Sequence, residues 1–231
     1  MHPIERLRAV ARAREVDQAL LAREAASVLG SFSGDPLGLV TSCRRLLDRH
    51  PSAAVLWWAF ARLLEAGDVR AEARAIQDDL EGSPAVTALS LDLPDGAVVA
   101  VVPDVAGGSE LGSMLNSWRD DLVVAHDPGA LHVRRDEPRV LLVEAGAAGP
   151  ERFLAPEGSE DEVAAAKDAG VAVWLVIDVG RRLPRALYEA LVRRSGPGPE
   201  EVAIAVAERV VEPRHVGCPV PPELLRAPGG W

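Results

Sequence analysis

The sequence predicts an α/β fold in which an N-terminal helical layer precedes a reduced, mostly parallel sheet with flanking helices. Three observations predict it. Two short apolar runs, residues 140–143 and 171–177, are bounded by turn residues and do not alternate, as strands buried on both faces do. A helix start at Ser159 lies between them, with Val163, Ala166 and Ala169/Gly170 on one side and Glu160, Asp161 and Lys167 on the other. The first ninety-odd residues, in contrast, carry helical periodicity and short connections. The strand–helix–strand unit at the centre is a crossover, which in a parallel sheet is almost always right-handed.

Taken in order, residues 4–30 place Ile4, Leu7, Val10, Val16, Leu20 and Val28 at near-helical spacing, with Arg and Glu on the other face. Gly30 to Gly34 break that pattern. Asp35-Pro36 then supplies an N-cap with proline at the first helical position. The second helix runs to about Arg49 on a stripe of Leu39, Val40, Cys43, Leu46 and Leu47, and His50-Pro51-Ser52 ends it. The third, over 53–65, turns Leu56, Phe60, Leu63 and Leu64 inward. Its neighbours Trp57 and Trp58 point about 100° apart, so they are expected to divide between the core and a partner surface. Gly67 and Asp68 open a fourth helix with Val69, Ala73, Ile76 and Leu80. After Ser83-Pro84, Val86, Leu89 and Leu93 fit a helix, while Leu89, Leu91 and Leu93 alternate as a strand does; the Ser-Pro start favours the helix.

From Gly96 the character changes. AVVAVV reads as a buried strand, a helix follows through Gly107, Gly108 and Ser109, and residues 122–125 form a second strand. The central crossover supplies strands three and four. Residues 185–194 form a helix with Ala186, Leu187, Ala190 and Leu191 inward, and a Gly/Pro linker leads to 202–211, which fits a strand or a short helix. These divisions give a helical domain over 1–94, a Rossmann-like α/β domain over 95–213 and a Pro/Gly-rich tail over 214–231. The tail is expected to lie along the surface or across a partner.

Composition narrows the function classes. A formal charge of -10 argues against nucleic acid, whose phosphates demand clustered Lys and Arg, although the N-terminal segment is locally basic through Arg6, Arg8, Arg12 and Arg14. With no signal peptide and no apolar run near ~18 residues, the chain reads as cytoplasmic, with no membrane partner and reduced thiols. No cofactor is expected. His126 and His132 are separated by a Pro-Gly turn and no Cys/His pair has ligand spacing, so no metal is expected either. Cys43 lies on a helical apolar stripe, where a thiol is a small core residue, and Cys218 sits in the Pro-rich tail without a nearby base.

Ligands of open parallel sheets bind beyond the carboxyl ends of the strands. Asp104, Asp127, Glu144 and Asp178 fall at or just past those ends. Either they surround a small molecule, with Asp104, Asp127 and Asp178 as candidates for proton transfer, or they cap helices and loop amides. Gly158-Ser159 and Gly107-Gly108-Ser109 each precede a helix and can cradle an anion on free amides, or serve as a turn plus cap. Arg152, Arg181 and Arg182 can supply counter-charge. Neither glycine stretch matches the phosphate-loop or dinucleotide pattern.

The stretch Leu141-Leu142-Val143-Glu144-Ala145-Gly146, together with the helical-layer-then-α/β order, resembles the translation initiation factor 2B alpha/beta/delta family. That family includes methylthioribose-1-phosphate isomerase and ribose-1,5-bisphosphate isomerase, within a wider group of ribose-phosphate-isomerase and CoA-transferase-like folds. The stretch aligns with the family's strand ending in Gly-Ala-Asp. Gly149-Pro150-Glu151-Arg152 stands at its Asn-Gly turn, Gly158-Ser159 at its helix-opening Gly-Thr, and residues 171–176 at its next strand.

The departures are chemical. Gly146 stands where the isomerases carry their acid/base Asp, and Ala155-Pro156 where an Asn-Lys helps hold the sugar phosphate. No Cys occurs in the α/β half before Cys218, and the span from Ser109 to Asp121 is too short for the family's Glu-Ser-Arg-Pro strand and its helix. Moving a proton between adjacent carbons needs an acid and a base at the substrate. These departures point to a non-catalytic binding or regulatory member of this fold taking a small phosphorylated metabolite or nucleotide, and the Trp57-Trp58 pair with the exposed apolar positions of the helical layer points to a homodimer. The expected contacts are Gly107, Gly108, Ser109, Glu144, Gly146, Arg152, Gly158, Ser159, Arg181 and Arg182. The alternative is a sugar-phosphate isomerase with a rebuilt site using Asp104, Asp127 or Asp178.

Overall fold

Capping chemistry fixes the helical layer. The computed structural model describes residues 17–103, 111–125, 131, 137–212 and 216–226; the first half of the helix expected over 4–30 lies outside them. Helix α1 (Gln18–Leu29) begins where Asp17 accepts from the Leu20 amide, and α2 (Pro36–Arg49) where Asp35 accepts from Gly38. Asp68 accepts from the Arg70 and Ala71 amides to start α4 (Val69–Asp79). Ser83 accepts from Val86 to start α5 (Pro84–Asp92), the helix favoured by the Ser-Pro signal.

Helix α3 (Ala54–Glu65) has no side-chain cap of its own; the buried Gln18 amide oxygen of α1 accepts from the Val55 N–H instead. Every residue from Ala54 to Ala61 is buried. A helix that is apolar all round lies inside a protein rather than on it. Trp57 and Trp58 are therefore both fully buried (0% exposed), which corrects the expected division between core and partner surface. The second face is covered by the chain itself. Leu187 and Leu191 of α8 (Arg185–Ser195) and Leu224 of the short α9 (Pro222–Leu225) join the core around α3. Arg194 stacks 4.9 Å over Trp57, whose Nε1 donates to the Pro51 carbonyl, and Arg62 stacks 4.7 Å over Trp58.

The main sheet has the order β2-β1-β3-β6-β8, all pairs parallel. Its strands are β1 (Val98–Val102), β2 (Val123–Ala125), β3 (Arg139–Glu144), β6 (Ala172–Val176) and β8 (Arg209–Val211). Alternation along each strand serves two cores. Leu141, Val143, Val173 and Leu175 pack with Val163 and Ala166 of α7 (Ser159–Asp168) on one face. Val140, Leu142, Trp174 and Val176 pack on the other with α5 and with α6 (Leu111–Trp118). The fold class read from the sequence is present, with helices on both faces of a parallel sheet.

A second sheet was not foreseen. Strands β4 (Ala147–Ala148), β5 (Arg152–Ala155) and β7 (Glu200–Ala203) pair antiparallel in the order β4-β5-β7. What read as a Gly/Pro loop before Ser159 is thus partly extended, and 202–211 divides between β7, a 3-10 turn (Ile204–Val206) and β8. This small sheet is the joint of the molecule. Leu154 faces the helical core, while Phe153, Ala155 and Val202 face the core shared with the main sheet. The described part of the tail lies across the chain's own helices, with Arg194 Nη2 donating to the Leu224 carbonyl (3.2 Å) and to that of Arg226.

Candidate functional site

Strand order reverses beside β1, which has β2 on one side and β3 on the other. In open α/β sheets such a reversal leaves a crevice outside the carboxyl ends of the strands. A cleft of about 310 Å³ opens beyond the ends of β3, the neighbour of β1, and β6, at the seam between the helical layer and the sheet. The sheet side, its floor, is Glu144, the last residue of β3, with Asp178 and Arg181 from the loop after β6; the helical-layer side includes Asp17, Leu20 and Arg23 of the α1 region. Asp79, Ser83, Pro84, Leu111 and Met114 close the sides.

The polar groups in and around this cleft are bonded to the chain itself, and two of these bonds, Ser83 to Asp178 and Gln18 to Gly146, join the helical layer to the sheet. The Ser83 hydroxyl donates to Asp178 Oδ2 (3.0 Å), and Asp178 Oδ1 accepts from the Val179 amide (2.8 Å). Arg181, 6% exposed, donates from Nη1 to the Ala145 carbonyl (2.9 Å), pinning the loop after β6 to the end of β3. Asp79 accepts from Arg62 (2.6 Å), which also pairs with Glu72 (2.5 Å). Gln18, 2% exposed, donates to the Gly146 carbonyl (3.2 Å). Gly180, at φ +78°, lets the loop after β6 lie directly on Val55 and Trp58 of α3.

Of the residues read from the sequence, the structure brings Glu144, Asp178 and Arg181 into the cleft. The others lie elsewhere. Gly158 (φ +92°) and Ser159 do open α7, but the anion at that terminus is the protein's own: Glu200 of β7 accepts from the Gly158 amide (3.3 Å) and the Glu160 amide (2.5 Å). Arg152 donates to the Glu201 carbonyl on the small sheet. Arg182 is held by Glu212 (2.7 Å) and the Gly149 carbonyl (2.6 Å). Gly146 lies within backbone bonds, its N–H donating to the Leu154 carbonyl (2.8 Å). Asp104, Gly107, Gly108, Ser109, His126, Asp127 and His132 lie outside the described residues.

Asp17, Arg23 and Ser83 were missed as cleft residues because they come from the helical layer. Ser83 alone carried a signal, as the N-cap of α5. Burial raises the Cys218 thiol to about 12, against a smaller opposing effect of Arg62, and burial raises Cys43 as well, so neither is a ready thiolate. Among the described residues no group of three or more His, Cys, Asp or Glu is placed to hold a metal, and no helix is long and apolar enough to cross a membrane.

No known family profile matches the sequence, and no curated protein matches it at the level of sequence. Solved structures do match in shape. The translation initiation factor eIF-2B of Pyrococcus horikoshii OT3 superposes with a TM-score of 0.66 at 11% identity, over 97% of this chain and 98% of that one. A chain of the tetrameric eIF2B-beta2-delta2 complex from C. thermophilum gives 0.66 at 13% identity, over 90% of this chain and 88% of that one. The 5-methylthioribose 1-phosphate isomerase of Pyrococcus horikoshii OT3 gives 0.53 at 12% identity, over 96% and 85%. The chain therefore has the α/β fold shared by the eIF-2B subunits and 5-methylthioribose 1-phosphate isomerase.

Proposed function

We propose that this chain is a non-catalytic binding and regulatory protein, acting as a homodimer, whose small-molecule ligand occupies the cleft at the ends of β3 and β6. One observation carries the reading: ionic groups of the cleft are engaged in structural bonds. Asp178 holds Ser83, Arg181 holds the Ala145 carbonyl, and Asp79 holds Arg62. A catalytic acid or base has to exchange its proton with substrate, whereas groups fixed in this way suit recognition. Ser83 belongs to the helical layer and Asp178 to the sheet, so a ligand at their junction acts on the contact between the two halves.

The test is a thermal-shift screen of sugar phosphates, nucleotides and small amines on the full chain. A ligand at 100-fold its Kd stabilises by about 2.7 kcal/mol, which at about 2–4 °C per kcal/mol for this size is a shift of about 5–10 °C. The reading expects a hit that is recovered chemically unchanged. Turnover of the hit, lost in Asp178→Asn, replaces the reading with the rebuilt isomerase. Light scattering that finds only monomer at micromolar concentration removes the homodimer.

A further inference from the structure

The charge balance of the cleft, taken with its shape, points to a class of ligand. We infer that it takes a small amine, with the ammonium group at the floor beside Glu144 and Asp178, rather than a phosphoryl compound. The inference rests on the binding reading above and narrows it.

Four carboxylates line the cleft, from Asp17, Asp79, Glu144 and Asp178, against two guanidiniums, from Arg23 and Arg181. The described lining thus carries a formal excess of two negative charges. Arg62 behind Asp79 does not cancel it, because Arg62 also pairs with Glu72. A phosphoryl group on the floor would need Arg181, whose Nη1 already serves the Ala145 carbonyl in a buried position. It would also face Glu144 and Asp178, and like charges placed together are strongly unfavourable away from bulk water. An ammonium meets the opposite situation. Each oxygen of an ionised carboxylate can accept twice, so Asp178 can take an ammonium donor while it keeps Ser83 and the Val179 amide, and charge-assisted bonds of this kind are the strong ones.

The walls supply the rest of the ligand. Leu20, Leu80, Ala85, Leu111 and Met114 line the cleft with apolar surface, which suits a methylene chain. Arg23 stands on the α1 side, half-buried, and its guanidinium forms no ion pair or hydrogen bond among the described residues. A carboxylate at the far end of the ligand pairs there, which places an amino acid with a side-chain amine ahead of a plain diamine.

The experiment is isothermal titration of the full chain with L-lysine, 1,5-diaminopentane, ribose 5-phosphate and inorganic phosphate. The inference expects both amines to bind, lysine more tightly, and both more weakly at higher salt. Glu144→Gln and Asp178→Asn should each weaken the amines about tenfold or more, while Arg23→Gln should weaken lysine and leave the diamine bound at least as tightly, since it removes a like charge from beside the second ammonium. Asp178 also holds Ser83, so each variant's melting temperature is read first; Arg23→Gln, which removes no described bond, supplies an independent arm. Binding of ribose 5-phosphate without either amine overturns the ligand class but leaves the binding reading intact. No binding by any of the four, in a chain that also answers nothing in the wider screen, overturns both. Amine binding unchanged by Glu144→Gln and Asp178→Asn overturns the placement.

Discussion

Gly180→Ala tests the seam on which the cleft depends. Gly180 has φ +78°, and a Cβ built there lies 3.0 Å from Val55 Cγ1, 3.0 Å from Trp58 Cε3 and 3.2 Å from Trp58 Cδ2. Holding an L-residue in the left-handed region costs about 1–2 kcal/mol. Pressing a methyl group into a packed wall adds about 1–3 kcal/mol, and the less flexible unfolded chain returns about 0.4–1 kcal/mol. At the middle of these ranges the net loss is about 3 kcal/mol, a fall in Tm of about 6–12 °C for a chain of this size. Gly158→Ala is the control: its φ of +92° and ψ of -6° also lie in the left-handed region, but nothing lies within 4 Å of the added Cβ, so it carries the strain alone. Thermal melts followed by circular dichroism measure both. A larger drop for Gly180→Ala is expected, and equal drops would refute the packing of the β6 loop onto α3.

Three further outcomes follow from single residues. Trp58→Ala empties a fully buried site on α3 and should cost about 3–5 kcal/mol in urea unfolding; a loss below ~1 kcal/mol contradicts the buried central helix. The Cys218 thiol is raised by burial from 9.0 to about 12 in the folded chain, so the fold holds its proton more tightly than the unfolded chain does. Its contribution is complete below pH 9 and is lost as pH rises toward 12; Cys218→Ala should flatten that alkaline decline, and rapid reaction with a thiol reagent at pH 8 counts against it. Asp121 is held well below the usual carboxylate range, first by the Arg119 guanidinium and then by the Gly96 amide. Its stabilising effect is therefore present above pH 3.8 and lost as pH falls below it, and the acid limb should be shallower in Asp121→Asn.

The parts of this fold that were legible in the sequence are those set by local chemistry. Asp35-Pro36, Asp68 and Ser83-Pro84 each begin a helix because a side-chain oxygen meets an amide two or three residues on. The runs around Leu141 and Val173 read as buried strands because both of their faces are apolar. What escaped is built from distant partners. Strands β4, β5 and β7 have two to four residues each, and Arg152 pairs with Ala203 across a long stretch of chain, so no local period marks them. The second face of the tryptophan pair is closed by Arg194 and Leu224, and no spacing near Trp57 announces that. Gly158-Ser159 has the form of an anion-binding helix start, and the anion turns out to be Glu200. The cleft shows the same division: Glu144 and Asp178 were legible as strand-end acids, whereas Asp17 and Arg23 read as polar positions of a surface helix.

The central claim is that the cleft recognises a molecule without transforming it. The most direct measurement follows one sample by NMR, with a compound that raises the melting temperature incubated at saturating concentration with the full chain. The account predicts that the compound's resonances broaden or shift on binding and that it is recovered unchanged after days. A second set of resonances from an isomer, growing with time and absent with Asp178→Asn, would contradict it.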